Sequence, residues 1–252
     1  MRESPYSINR DTRINFPSSA SGITTVVHPF LGPANYKGLF QSSNFQGDLR
    51  MPTGADNADF LHAIYCGPED FKNSPEAKEA KSKIKSSWLY VPQINIWTPK
   101  GFEVAGQDRH GVYSIFDEKG QGRNLGFNQE ELEERLSQGK EIVPGIILAD
   151  GISFAHRDTY NDGKHTPEKL AEDGLVIATY TQEGAKKLAE VSQQFKNNPY
   201  TYIIDNPDNV TKSVSALVGY NYRLNVDGDY YVDINRALSF GVRRSSAEGT
   251  SA

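Results

Sequence analysis

The amino-acid sequence predicts an α+β fold within one main domain. Segments with helical spacing and segments rich in aromatic and β-branched residues follow each other in no regular order. A doubly wound parallel sheet would show a repeating strand–helix rhythm, which this chain lacks. The 252 residues contain no internal repeat and no linker long enough to force a domain boundary. We therefore expect one domain over residues 23–244, with an N-terminal arm at 1–22 and a polar tail at 245–252.

The first half of the chain is predicted to contain two helices and three strands. Ala55 to Tyr65 carries apolar residues at helical spacing. A capping serine, a proline at the first helical position and an early acid open a second helix, from Ser74 to about Ile84. Trp88 to Trp97 is rich in aromatic and β-branched residues, which is typical of a strand. Two shorter strands follow at Phe102 to Val104 and Val112 to Phe116.

The second half continues the mixture of helices and strands. A capping-box pattern starts a helix at Asn128, which Gly139 ends. Ile142 to Leu148 reads as a strand broken by Pro144-Gly145. The next two helices run from Thr166 to Gly174 and from Thr181 to about Phe195. Between them, the continuous apolar run Leu175 to Tyr180 predicts a strand. Two more strands are expected at Tyr200 to Ile204 and Val214 to Val218.

Composition argues against several classes of protein. A net charge of −5 and a pI of about 5.6 disfavour a nucleic-acid partner, whose binding surface would be basic. No apolar run approaches the roughly 18 residues of a membrane-spanning helix, so we expect no membrane span. The first five residues lack the apolar region of a signal peptide, which favours a cytoplasmic or virion-associated protein. The single cysteine, Cys66, excludes an internal disulfide and a multi-cysteine zinc site.

Catalytic and metal-binding motifs are largely missing. The sequence contains no Gly-x-Gly-x-x-Gly, Walker or Gly-x-Ser-x-Gly pattern. Cys66 has two interpretations, a nucleophile or a small buried hydrophobe, and the second is the commoner role of a lone cysteine. Asn225 to Asp229 begins like a calcium loop, but Tyr230 and Arg236 stand where a glycine and a glutamate belong. Its five histidines lack metal-ligand spacing: His28, His62, His110, His156 and His165. We predict neither a metal nor a cofactor.

The C-terminal segment has an unusual composition. Of the 16 residues from Tyr220 to Asn235, ten are Tyr, Asn or Asp, although the whole chain has only 13 tyrosines. Between Ser213 and Arg243 there is no Lys, Glu, Gln, Met or Trp, which the rest of the chain uses. A strand- and turn-rich stretch would explain the Tyr, Asn and Asp content, but it explains the loss of Lys, Glu and Gln poorly.

A binding surface whose codons are mutated at adenines would explain both the Tyr, Asn and Asp content of this segment and its five missing residue types. Tyr provides a large, rigid contact area, while Asn, Asp and Gly provide adaptable hydrogen bonds. Asn codons keep their final pyrimidine when their adenines are mutated, so they can yield Tyr, Asp, Ser and many other residues. They can never yield Lys, Glu, Gln, Met or Trp, and those are the five missing types.

The end of this segment carries a resemblance to a known family. The closing sequence Ser239-Phe240-Gly241-Val242-Arg243, behind a Tyr/Asn/Asp-rich stretch, resembles the C-terminus of C-type-lectin-like variable proteins from diversity-generating retroelements. Formylglycine-generating-enzyme-type folds end similarly. The wider pattern, over residues 25–243, is similar to archaeal variable proteins of the AvpA type, found in archaeal viruses and nanoarchaea. It includes Met51-Pro52-Thr53-Gly54, Leu61-His62-Ala63, Trp97-Thr98 and the segment from His165 to Gly174.

The resemblance implies a C-type-lectin-like scaffold with a variable region and closing strand at residues 213–243. A reverse transcriptase in such systems copies a template repeat with errors at adenines and replaces the variable repeat. The positions available for variation and ligand binding would be Tyr220, Asn221, Tyr222, Asn225, Asp227, Asp229, Tyr230, Tyr231, Asp233 and Asn235. The interleaved framework positions would be Leu224, Val226, Gly228, Val232 and Ile234. Formylglycine-generating activity is not implied, because it relies on paired cysteines.

Three functions stay open at this point. The first is a non-catalytic protein that binds varied protein or cell-surface ligands, for which the three aspartates favour a basic or hydrogen-bonding target. The second is a small hydrolase or transferase that uses His156, Arg157, Asp158 and His165. The third is a structural virion attachment protein whose tyrosines pack a subunit interface. The ligand and the oligomeric state are not determined by the sequence.

Overall fold

We describe the fold from a computed structural model of the chain. The structure describes residues 7–9, 13–18, 22–27, 30–122, 125–126, 128–230 and 237–243. Within these ranges the helices are α1 Tyr36–Leu39, α2 Gly54–Cys66, α3 Glu69–Lys72, α4 Pro75–Ser86, α5 Gln129–Ser137, α6 Pro167–Glu172 and α7 Gly174–Ser192. Short 3₁₀ turns lie at Ser42–Asn44 and Arg157–Thr159.

The strands are distributed along the whole described chain. In order they are β1 Ser7–Asn9, β2 Arg13–Ser18, β3 Gly22–Val27, β4 Leu31–Ala34, β5 Leu49–Arg50, β6 Trp88–Trp97, β7 Glu103–Val104, β8 Gln107–Asp108, β9 Gly111–Phe116, β10 Lys140–Val143, β11 Ile146–Ala149, β12 Ile152–His156, β13 Gly163–Lys164, β14 Tyr200–Tyr202, β15 Thr211–Val218, β16 Asn225–Tyr230, β17 Ala237–Ser239 and β18 Val242–Arg243. With helices and strands interspersed, the fold is mixed α+β, as the sequence predicts.

Two sheets organise these strands. The larger has the order β10-β11-β12-β9-β6-β15-β16-β14-β13, and β17 joins it by pairing with both β6 and β4. Its described pairs are antiparallel except for β14 with β16 and β6 with β17. The smaller sheet has the order β1-β2-β3-β18-β5, so the C-terminal strand closes against N-terminal strands. A two-stranded ribbon, β7-β8, stands apart.

The central strands of the large sheet are buried on both faces. In β6, Leu89 and Val91 belong to the apolar cluster that includes residues of α2, α4 and α7. Tyr90 belongs to the cluster on the other face, which includes residues of α1 and α5. Its ring lies 5.6 Å from that of Tyr36. Burial on both faces explains why Leu89, Tyr90 and Val91 follow each other as an unbroken apolar run in β6.

The predicted strand at Leu175 to Tyr180 is wrong, because these residues form the first half of α7. The Asp173 side chain accepts a hydrogen bond from Val176 N at 3.2 Å and caps the helix. All residues from Leu175 to Tyr180 are buried. A short apolar run that is buried all round has no helical periodicity, so helix and strand cannot be distinguished by pattern.

The predicted start of a helix at Thr181 is confirmed, although α7 continues through it as a kink. Thr181 has φ 70° and ψ 166°, and its hydroxyl accepts a hydrogen bond from Gly184 N at 3.2 Å. The kink lies against the beginning of α2. A Cβ on Gly54 would stand 1.8 Å from the Thr179 carbonyl oxygen, so only glycine fits at this crossing.

The predicted N-terminal arm at 1–22 contains an ordered strand in the part that the structure describes. β2 pairs with β3 over six residues, and its Ile14 and Phe16 side chains are buried. The Phe16 ring lies 5.8 Å from that of Phe60 in α2. Two buried apolar residues in a short strand give too brief an alternation to stand out among the surrounding Ser, Pro, Arg and Asn.

Candidate functional site

The connection between β15 and β16 exposes two tyrosines. We call residues 219–224 the tyrosine loop. Tyr222 is 74% exposed and Tyr220 is 59% exposed, which are the highest values among the large hydrophobic side chains of the described residues. Apolar area of this kind normally lies inside a protein or against a partner. The tyrosine loop is therefore the first candidate for a binding surface.

Hydrogen bonds hold the backbone of the tyrosine loop in place, although its tyrosine side chains project outward. Asn221 and Tyr222 have φ of 53° and 58°, values that turn the chain sharply. Asn197 donates twice to the loop, from its backbone N to Tyr222 O at 2.8 Å and from Nδ2 to Asn221 O at 3.0 Å. Gly219 N donates to Ile84 O at 3.0 Å, and Arg223 N donates to Tyr220 O at 3.1 Å. Contact side chains are thus presented on a pre-organised loop, which lowers the entropy lost on binding.

Further aromatic side chains lie beside the tyrosine loop. Tyr202 of β14 is 37% exposed, and its ring lies 4.5 Å from that of Tyr200. The Arg223 guanidinium stands 5.7 Å from the Tyr200 ring centre, which is a cation–π distance. Because β14 pairs with β16, these residues extend the exposed aromatic area beyond the loop itself.

Three of the predicted ligand-binding positions are buried. Asn225, Asp227 and Tyr230 are each less than a tenth exposed. The expectation that alternate residues of this segment face solvent is wrong, because β16 lies between β15 and β14 with both faces covered. Asn225 instead supports the tyrosine loop, since its Nδ2 lies 3.4 Å from Tyr220 O.

The predicted positions that the structure describes are spread over three environments. Tyr220, Asn221 and Tyr222 are exposed, and Asp229 is half-buried. Tyr230 packs inside its own chain, with its ring 4.7 Å from Trp88 and 5.4 Å from Tyr90. The remaining predictions lie outside the described residues: Tyr231, Asp233 and Asn235.

Asp227 is an unusual carboxyl for the middle of a strand. Burial, together with the neighbouring Asp229 carboxyl, raises the pKa of Asp227 from 3.8 to about 9. Its Oδ1 accepts a hydrogen bond from Asp229 N at 3.0 Å. The raised pKa favours the protonated, uncharged form of Asp227, and its carboxyl is buried away from the surface.

A groove runs beside the tyrosine loop. It has a volume of about 510 Å³ and lies between the loop and the ends of three helices. The lining residues are Tyr65, Lys85, Gln194, Phe195, Lys196, Gly219, Tyr220, Asn221 and Tyr222. We call it the loop groove. The groove could not be predicted from the sequence, because its walls come from four separate segments of the chain that no local pattern connects.

The residues of the predicted enzymatic alternative belong to two separate networks. His156 Nε2 lies 3.4 Å from Asp108 Oδ2, and Arg157 donates to Asp205 Oδ1. His165 instead contacts Asn161 O and the Thr201 hydroxyl.

The second network does not have the geometry of a catalytic relay. Asp173 Oδ2 lies 4.0 Å from His165 Nε2, the same ring nitrogen that the Thr201 hydroxyl contacts. A Ser-His-Asp-type relay needs the acid and the hydroxyl on opposite nitrogens of the ring. Burial lowers the pKa of His165 and raises that of Asp173 to about 7. Both shifts favour the uncharged forms of a buried structural cluster.

Another cleft lies between the beginning of α2, the kink of α7 and strands β6, β9 and β12. Its volume is about 700 Å³, and neither His156 nor His165 lines it. Arg50 and Asp56 form an ion pair at its wall, with Nη1 to Oδ2 at 2.5 Å and Nη2 to Oδ1 at 3.1 Å. The Asp56 carboxylate also accepts from Thr53 N at 2.7 Å, so this pair fixes the start of α2.

Cys66 does not have the properties of a nucleophile. Cys66 is half-buried, and burial raises the pKa of its thiol to about 11. A reactive thiol requires the opposite shift. In the ranges that the structure describes, no three His, Cys, Asp or Glu side chains are grouped to hold a metal ion. Within the same ranges, no helix combines the length and the apolar character needed to cross a membrane.

Comparison with known proteins leaves the chain without a family assignment. No family model matches the chain, and neither a curated protein nor a solved structure matches it. The mixed α+β class therefore follows from the strands and helices themselves.

Proposed function

We propose that the chain is a non-catalytic ligand-binding protein whose tyrosine loop contacts varied protein or cell-surface targets. In this proposal the scaffold is a C-type-lectin-like fold of the archaeal AvpA type, and adenine-directed retroelement mutagenesis diversifies the loop. The observation that carries the proposal is the exposure of Tyr220 and Tyr222 on a loop whose backbone is held by Asn197 and Ile84.

The physical chemistry of tyrosine supports a contact role. A tyrosine ring offers a large apolar area and a hydroxyl that can donate or accept a hydrogen bond, with little side-chain entropy to lose. Loops that a rigid scaffold positions are common sites of recognition. The tyrosine loop has both properties, because it joins two paired strands of the large sheet.

Burial determines which positions between residues 220 and 227 can accept a different side chain. Tyr220, Asn221 and Tyr222 project into solvent, so a change of side chain there leaves the core untouched. Asn225 and Asp227 are buried, so only residues of similar size and polarity fit. Under the proposal, natural variants differ most at 220–222 and vary conservatively at 225 and 227.

Selection from a library of short random peptides tests ligand binding directly. We expect immobilised protein to enrich peptides whose affinity falls more than about tenfold for the Tyr220→Ala/Tyr222→Ala variant, since exposed aromatic anchors dominate contact energies. Both side chains are exposed, so this variant should fold normally.

The matched control is Val143→Ala, an exposed apolar residue of β10 at the opposite edge of the large sheet. We expect it to leave peptide affinity unchanged. Enrichment that is insensitive to the two tyrosines, or no enrichment at all, would contradict binding by the loop.

A further inference from the structure

The loop groove combines aromatic walls with a cationic rim. Tyr65 and Phe195 form part of its walls, with their rings 5.2 Å apart. Lys85 and Lys196 are exposed at its edge, and none of its nine lining residues is acidic. The chain as a whole carries a net charge of −5. The groove is therefore a local positive region on an acidic protein.

The lysines at this rim belong to a larger group of positive charges. Lys81 stands 5.5 Å from the centre of the Tyr65 ring. Burial and the charges of Lys72 and Lys85 lower the pKa of Lys81, which places the three ammonium groups within electrostatic reach of each other. Like charges repel, so an anion beside Lys81 or Lys85 would stabilise this group.

The acidic side chains nearest to this group have other partners. Glu69 forms an ion pair with Lys72 at 2.6 Å, and Glu190 Oε2 lies within hydrogen-bond distance of His62 Nε2, at 2.7 Å. Among the described residues, Lys85 and Lys196 have no carboxylate within ion-pair distance. Their charges are available to a ligand.

The Tyr65 hydroxyl is a second polar group at the groove, after the lysines, that a ligand could satisfy. This residue is 8% exposed and lines the groove, and its hydroxyl has no hydrogen-bond partner among the residues that the structure describes. A buried hydroxyl without a partner costs free energy. An oxygen acceptor from a ligand, reached after a small rotation of the side chain, would complete it.

We propose that the loop groove binds an acidic peptide segment of a protein partner, with an apolar side chain between Tyr65, Phe195 and the loop tyrosines and with flanking carboxylates against Lys85 and Lys196. This inference rests on the proposed function and names the chemistry of its partner. It reverses the expectation of a basic target, because the charged residues that line the groove are Lys85 and Lys196 and no aspartate lines it. A volume of about 510 Å³ is within the range of roughly 300–1,000 Å³ typical of ligand pockets.

Sequencing the peptides from the library selection tests the partner's charge. We expect the tyrosine-dependent peptides to carry net negative charge beside an aromatic or aliphatic residue, and to bind more weakly as salt is added. The Lys85→Glu/Lys196→Glu variant should lower their affinity by at least about tenfold, since two favourable exposed pairs become repulsive. The control Lys119→Glu/Lys140→Glu makes the same change in charge at exposed positions outside the groove and should retain affinity.

The outcomes separate this inference from the proposed function. Tyrosine-dependent peptides that are neutral or basic, or whose affinity is unaffected by Lys85→Glu/Lys196→Glu, would overturn the acidic-partner inference and leave binding by the loop intact. Peptides without any dependence on Tyr220 and Tyr222 would overturn both. Circular dichroism of each variant shows whether a loss of binding comes from a loss of folding.

Discussion

Asp227→Asn should stabilise the protein, and the gain should grow as the pH rises from about 4 to about 9. The pKa of Asp227 is raised from 3.8 to about 9 in the folded chain. An acid whose pKa is raised on folding stabilises the folded state fully only at a pH below its pKa in the unfolded state. This contribution to stability is lost as the pH rises through its pKa in the folded state. One pKa unit corresponds to about 1.4 kcal/mol, so we expect a gain of a few kcal/mol at about pH 9 in urea denaturation.

Asparagine suits this position because it resembles the protonated carboxyl in shape and hydrogen bonding. Its Oδ1 can still accept from Asp229 N, and its Nδ2 can donate toward the Asp229 carboxyl. Asp208→Asn, at an exposed position, is the matched control and should change stability little at any pH. An Asp227→Asn variant that gains nothing between about pH 5 and about pH 9 would show that Asp227 ionises freely in the folded protein.

Arg50→Met should destabilise the protein by about 3–5 kcal/mol, because it leaves the Asp56 carboxylate buried without its counter-charge. The Asp56 side chain is 3% exposed, against 25% for Arg50. Methionine keeps much of the aliphatic volume of arginine, so the loss of folding stability comes mainly from the missing positive charge. Chemical denaturation of the single variants and of Arg50→Met/Asp56→Asn gives the coupling energy of the pair.

The control for this prediction is a surface pair on the neighbouring strand. Arg243 pairs with Asp48, and both side chains are at least a third exposed. Arg243→Met should cost less than about 1 kcal/mol. Equal losses for Arg50→Met and Arg243→Met would mean that the Asp56 carboxylate is solvated rather than buried.

Local chemistry in the sequence predicted much of the fold. Ser74 accepts from Ala77 N at 3.1 Å, so the predicted cap is confirmed, and Thr166, where a helix is predicted to start, caps that helix by accepting from Lys169 N at 3.3 Å. Pro144-Gly145 does separate two strands, and Gly145 has φ 81°. Caps and turns are encoded within a few residues, which is why they can be read without a structure.

The features of the fold and of the site that could not be predicted from the sequence depend on contacts between distant segments. The run Leu175 to Tyr180 is buried inside the protein, so it has no solvent-facing side. Without polar residues on one side, the sequence shows no helical periodicity there. The burial of Asn225 and Asp227 follows from the position of β16 within the sheet order. The loop groove depends on Tyr65, Lys85 and Phe195 converging on the loop. Composition indicated the segment around Tyr220, but only the structure separates its exposed residues from its buried ones.

We propose that the tyrosine loop is a binding face whose residues are changed by mutation while the scaffold persists. Sequencing this gene and its flanking DNA from many members of its source population tests this proposal. We expect a reverse-transcriptase gene and a near-copy of the segment for residues 220–235 nearby. Differences between members should fall at adenines of that copy, most often in the codons for Tyr220, Asn221 and Tyr222. Flanking DNA without a repeat, or substitutions spread evenly over exposed positions of the chain, would contradict it.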